Sequence, residues 1–106
     1  MKNEVMQEEV GAPQTQDMTF GQALEWLRQG HKVARLGWNG RGMWLLLVPG
    51  SNGIRPVAGT PYSSAGLTEK VNINAHIDMF TASGEMQPGW LASQTDMLAD
   101  DWCVVF

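Results

Sequence analysis

The stretch Lys32-Val33-Ala34-Arg35-Leu36-Gly37-Trp38-Asn39-Gly40-Arg41-Gly42-Met43-Trp44-Leu45-Leu46-Leu47-Val48 decides the fold. Lys32 to Leu36 and Met43 to Val48 read as strands, and Asn39-Gly40 between them is a hairpin signal because both residues tolerate positive φ. A two-residue turn there sets Trp38 opposite Arg41 and Arg35 opposite Trp44, the latter pair placed for cation–π stacking. Gly37, Gly40 and Gly42 also permit a broader loop that lets a ligand approach the backbone, so the register stays open. The run from Met43 to Val48 does not alternate, which predicts a strand covered on both faces, for instance by a second subunit.

Upstream, Thr19 and Gln22 form a capping-box pattern ahead of a helix from Phe20 to Gln29, with Gly30 as its stop. Phe20, Ala23, Leu24 and Leu27 share one stripe, and Trp26 lies about 120° away, as a flank of the core or a subunit contact. Residues 1–16 are rich in Glu and Gln without periodicity and read as a flexible leader to a single domain, 17–106. Downstream, 49–75 reads mostly as loop, functional or interfacial by its length. Ile77 to Ala82 and Glu85 to Ser93 flank Ser83-Gly84 as a second hairpin, with Pro88-Gly89 a bulge or strand end. Ser93-Gln94-Thr95-Asp96 opens a short helix, and Trp102 to Phe106 alternates as a last strand. The expected class is α+β: a small antiparallel β-sheet with one main helix and a short C-terminal helix.

The 106 residues allow one core and little else. Cys103 is the single cysteine, so no internal disulfide framework forms, and His31 and His76 lack zinc-ligand spacing. No apolar run spans a bilayer and no secretory signal is visible, which points to a soluble protein of a reducing compartment. The net charge of −4 hides a middle block, 26–68, with Arg28, Lys32, Arg35, Arg41 and Arg55 and no acid. An acidic total argues against long nucleic acid. The block suits a small anion or, as charge runs more often do, pairing with the acidic ends.

Catalytic readings find little support. Ser63 and Ser64 lack an elbow motif, His76 and Asp78 share a strand face without a nucleophile, and Cys103 fits a packed thiol. Asp96, Asp100 and Asp101 could suggest a metal site, but a capping box already explains Asp96. The five tryptophans point instead to binding. Trp38 sits in a Gly-rich turn, Trp90 follows a bend, Arg35 and Arg41 are near, and Asn39 can read a base edge. Two stacks and two phosphate contacts total about 5–12 kcal/mol gross, against about −12 for nanomolar capture. Tight binding therefore needs an enclosed pocket, which a small subunit achieves by sharing it with another copy. Core or dimer packing of Trp38, Trp44 and Trp90 explains the composition equally well. A protein–protein inhibitor or assembly module using tryptophan hot spots is the alternative reading.

Met18-Thr19-Phe20-Gly21-Gln22-Ala23-Leu24, Lys32-Val33-Ala34-Arg35, Gly37 through Trp44 and Leu47-Val48-Pro49-Gly50-Ser51 recur in order with His76-Ile77-Asp78-Met79, Pro88 through Ala99 and Asp100-Asp101-Trp102. Over about residues 17–106 the chain resembles the second type of Thoeris anti-defence protein, a phage and prophage family. The resemblance implies a non-enzymatic sponge, without cofactor or metal, that holds the cyclic ADP-ribose signal of Thoeris immunity in the cytoplasm of the infected cell. It implies a homotetramer of two dimers with shared pockets, and in some members a second site for cyclic di- or trinucleotides. By motif, Trp38 would stack on the base and Trp90 would form a second wall. Ser93, Thr95 and Asp96 would bond ribose or base, Arg35 or Arg41 would face phosphate, and Met43 and Trp44 would complete the lining. Trp26 and Trp102 are left to packing or subunit contacts.

Overall fold

The computed structural model describes residues 12–38 and 42–106. Helix α1 (Phe20–Arg28) starts where the sequence places it. Thr19 accepts from the Gln22 amide while the Gln22 side chain accepts from the Thr19 amide, the reciprocal capping box. Its apolar stripe buries Ala23 and Leu27. The strands β1 (Lys32–Arg35), β2 (Trp44–Val48), β5 (His76–Phe80), β6 (Met86–Gln87) and β7 (Trp102–Val105) form an antiparallel sheet in the order β6-β5-β2-β1-β7. Two further strands, β3 (Ser51–Ile54) and β4 (Val71–Ile73), pair separately on either side of a single helical turn, α2 (Pro61–Ser64). A second single turn, α3 (Gln94–Met97), precedes β7. The fold is α+β with antiparallel sheets.

Strand alternation assigns the two faces of the main sheet. Val33, Leu45, Trp102 and Val104 point toward α1 and, with Met18, Ala23 and Leu27, make the core. Fully burying each such side chain contributes about 1.5–3 kcal/mol. The opposite face carries Trp44, Leu46, Val48 and Phe80, all half-buried. There Trp44 stacks on Phe80 at 4.9 Å between ring centroids, and the Lys32 ammonium lies 5.2 Å over the Trp44 ring.

The hairpin register is corrected by the structure. Val33 pairs with Leu45, so continuing the register sets Arg35 across from Met43 rather than Trp44. The cation on Trp44 is Lys32, not Arg35. The register follows burial: Val33 and Leu45 are both fully buried on the face toward α1, and a one-residue slip would turn Leu45 to the other face. Asn39, Gly40 and Arg41 lie outside the described residues.

Residues 49–75, expected mostly as loop, contain β3, α2 and β4, a small folded arm. β3, Ser-Asn-Gly-Ile, has no alternating apolar pattern, and β4 alternates over only three residues, Val71-Asn72-Ile73, too short a run for periodicity to reveal. None of its residues is buried. At its root a Cβ on Gly50 would lie 2.7 Å from the Ile73 carbonyl oxygen and 3.1 Å from the Ala75 amide nitrogen, so the two ends of the arm meet only because Gly50 has no side chain. The second hairpin is shorter than expected: β6 stops at Gln87, because Pro88 has no amide to continue the ladder.

Of the expected leader, residues 1–11 lie outside the described residues. Within 12–16, the Thr15 carbonyl accepts from the Val104 amide at 2.8 Å, and the Gln14 carbonyl accepts from the Trp26 indole at 2.9 Å. Trp26, edge-on to His31, thus flanks the core beneath the segment that precedes α1.

Candidate functional site

Trp102 is the platform of the site. It alternates inward from β7, is fully buried, and donates its indole N–H to the Asp96 carbonyl at 2.9 Å. Three rings pack on it: Trp38 at 5.4 Å and Trp90 at 6.2 Å, both at 80°, and Phe20 at 5.2 Å, tilted. Trp38 and Trp90 are only half-buried. They come from connections far apart in the sequence and share one buried ring as support.

Three carboxylates, Asp96, Asp101 and Asp78, fix these connections. Ser93 caps α3 by accepting from the Asp96 amide, and Asp96 returns the contact to the Ser93 amide. The same Asp96 carboxylate accepts from Arg35 Nη1 at 2.7 Å and from the Trp38 indole N–H at 3.3 Å. Arg35 Nε donates to Asp101 at 2.8 Å, and the other Asp101 oxygen accepts from the Gly37 amide at 2.8 Å. A Cβ at Gly37 would stand 2.8 Å from that oxygen, so the turn into Trp38 closes on Asp101 only with glycine. On β5, buried Asp78 accepts from His76 Nδ1 at 2.7 Å and from the Gly89 amide at 2.9 Å. The Trp90 amide donates to the Ile77 carbonyl at 2.7 Å. Asp78 thereby braces the bend that carries Trp90.

The expected residues divide into four groups. Trp38, Trp90, Ser93, Asp96 and Arg35 converge around Trp102. Thr95 is exposed on α3, and Met43 is half-buried ahead of β2. Trp44 lies on the other face of the sheet from Leu45 and so is separated from Trp38 and Trp90 within one chain. Asn39 and Arg41 fall outside the described residues. Arg35 pairs with Asp96 and Asp101, so this part of the basic middle block is paired with the acidic end. Sequence reading missed Asp101 and Asp78 as braces and Trp102 as the platform. The charge block pairing with the acidic tail was the available signal for Asp101.

Electrostatics follow from these bonds. Burial pushes the Asp96 carboxyl upward, but hydrogen bonds from Arg35, Ser93 and Trp38 outweigh it and hold it below the usual range. Asp78 behaves likewise, with His76 and Gly89 outweighing burial. The Arg35 hydrogen bond holds Asp101 low against a smaller effect of burial, and Arg35 itself is raised by Asp101 and then Asp96. Carboxyls depressed in the folded state stabilise it above their unfolded pKa of about 3.9, and that contribution is lost as pH falls through the folded values. Urea midpoints are therefore expected to stay level between about pH 7 and 5 and to fall below about pH 4. A midpoint that holds steady down to pH 3 would contradict the network. Cys103, pushed up by burial, donates to the Ala34 carbonyl as a packed thiol.

Among the described residues, no three His, Cys, Asp or Glu side chains are grouped to hold a metal ion, and no helix is long and apolar enough to cross a membrane. Two clefts lie elsewhere. One of about 210 Å³ is on the arm, lined by Tyr62, Leu67, Asn72 and Asn74. The other, of about 280 Å³, lies between Gln14 and α1 beside Trp26.

The chain matches the family model described as the Thoeris anti-defense 2-like domain over residues 18–105. It is 38% identical over 90 residues to a protein of Bacillus phage SP01 named Thoeris anti-defense 2, covering 83% of this chain and 94% of that one.

Proposed function

The chain belongs to the Thoeris anti-defense 2-like family, and from that premise we propose that it blocks Thoeris immunity by sequestering the cyclic ADP-ribose signal without cleaving it. The observation that carries this reading is the pair of half-buried indoles, Trp38 and Trp90, braced edge-on against buried Trp102. Rings held in place before binding lose little entropy on stacking, and each stacked base contributes about 1–3 kcal/mol. Ser93, capping α3 beside Asp96, and exposed Thr95 on α3 are the proposed hydroxyl contacts. Arg41 is the proposed phosphate contact, and Asn39 the proposed reader of a base edge.

The active form we propose is a homotetramer of two dimers in the cytoplasm of the infected cell. The half-buried face of Trp44, Leu46, Val48 and Phe80 supports association; Trp44 would reach a shared pocket from a second copy, while Met43, on the side of the sheet away from Trp44, would line it from within the chain. The test is to mix protein with the cyclic ADP-ribose signal, denature by heat, and assay the supernatant. Intact ligand is expected. A linear product would select an enzyme instead, and a pull-down of a host protein with no heat of nucleotide binding would select a protein–protein inhibitor. The same assay with cyclic di- and trinucleotides tests the second ligand class.

A further inference from the structure

Resting on the binding role of Trp38, we propose that Asp101, Arg35 and Asp96 are positioning residues that aim the Trp38 indole, rather than groups that touch the ligand. The ion pairs run in one chain. Asp101 grips the Gly37 amide at the root of the turn and holds Arg35 by Nε. Arg35 then reaches Asp96, and Asp96 receives the Trp38 indole N–H. Each link ends on the segment 35–38, on α3 or on the loop between α3 and β7, so the relay ties the turn to the platform that Trp102 provides.

Two features separate this role from direct ligand contact. The Arg35 and Asp96 side chains are each only 14% exposed, and the guanidinium already spends Nε and Nη1 on carboxylates. The cluster also has one cation between two anions, a net charge of −1. A phosphate brought to Arg35 would meet Asp96 and Asp101 as well, and like charges at such distances repel. Nothing in this arrangement recommends Arg35 as an anion site. It does suit a rigid mount, because a guanidinium offers planar, preorganised donors that a lysine does not reproduce.

The experiment has a ligand-free arm and a binding arm. In ligand-free, 15N-labelled protein, the Trp38 indole resonance is assigned by its loss in Trp38→Phe, and its hydrogen exchange is measured. Exchange is expected to quicken about tenfold or more in Asp96→Asn and in the milder Arg35→Lys, with the other indoles largely unchanged. Unchanged Trp38 exchange in both variants overturns the proposal, whether or not any nucleotide binds. In the binding arm, affinity for the cyclic ADP-ribose signal is measured for Asp96→Asn in the wild-type and Trp38→Phe backgrounds. An effect of about tenfold in the first and under about twofold in the second is expected, because the Phe ring has no N–H for Asp96 to hold. Equal losses in both backgrounds show Asp96 touching ligand and overturn the positioning role. If wild-type protein binds no signal, the functional reading fails while the exchange measurement still decides the mount.

Discussion

Trp38→Ala is expected to weaken capture sharply in the heat-release assay while leaving the far-UV circular dichroism unchanged. Removing one stacked ring forfeits about 1–3 kcal/mol, or roughly five- to 150-fold in affinity, before any change in the turn is counted. The ring is half-buried and rests on Trp102 by its edge, so its loss leaves the platform and the sheet intact. Calorimetry on the variant, beside a thermal melt, separates the two effects. An unaltered affinity would remove Trp38 from the site and with it the main support for a stacking pocket.

Trp102→Ala is expected to have the largest effect on stability, a loss of about 3–5 kcal/mol as for other buried aromatic truncations. For a domain with about 5–15 kcal/mol in total, that removes a large share of the stability. The substitution opens a cavity under Phe20, Trp38 and Trp90 together and leaves the Asp96 carbonyl without its indole donor. Urea denaturation should show the fall, and Trp102→Phe should recover part of it by refilling the cavity without restoring the hydrogen bond. A Trp102→Ala midpoint near that of the wild type would mean that the three outer rings do not depend on this support.

Local signals carried much of the fold. The reciprocal cap at Thr19 and Gln22, the stripe through Ala23 and Leu27, the Ser93–Asp96 cap and the alternation of β7 each depend on residues a few positions apart, and all are present. The hairpin register failed because it was read from the turn alone, whereas Val33 and Leu45 share the buried face toward α1 and so must pair. The arm was missed because β3 carries no apolar alternation and that of β4 spans only Val71 to Ile73. For the site, the sequence picked out Trp38, Trp90, Ser93, Asp96 and Arg35 as neighbours-to-be through their motifs. It did not reveal that two carboxylates engage Arg35, or that Trp44 lies across the sheet, since both facts depend on pairing and face rather than motif.

The neck at Gly50 carries a consequence of another kind. Because the arm's ends are clasped together and none of its side chains enters the core, its interior makes no demand on the sheet beyond that clasp. Lengthening a surface excursion costs only about 0.6 kcal/mol per doubling. Insertions, deletions or whole grafts between the two sides of the neck are therefore cheap for the body of the protein, provided Gly50 is kept. A lineage under pressure to change what it recognises thus has a stretch of chain free to diverge beyond one narrow neck, while the tryptophan platform stays as it is.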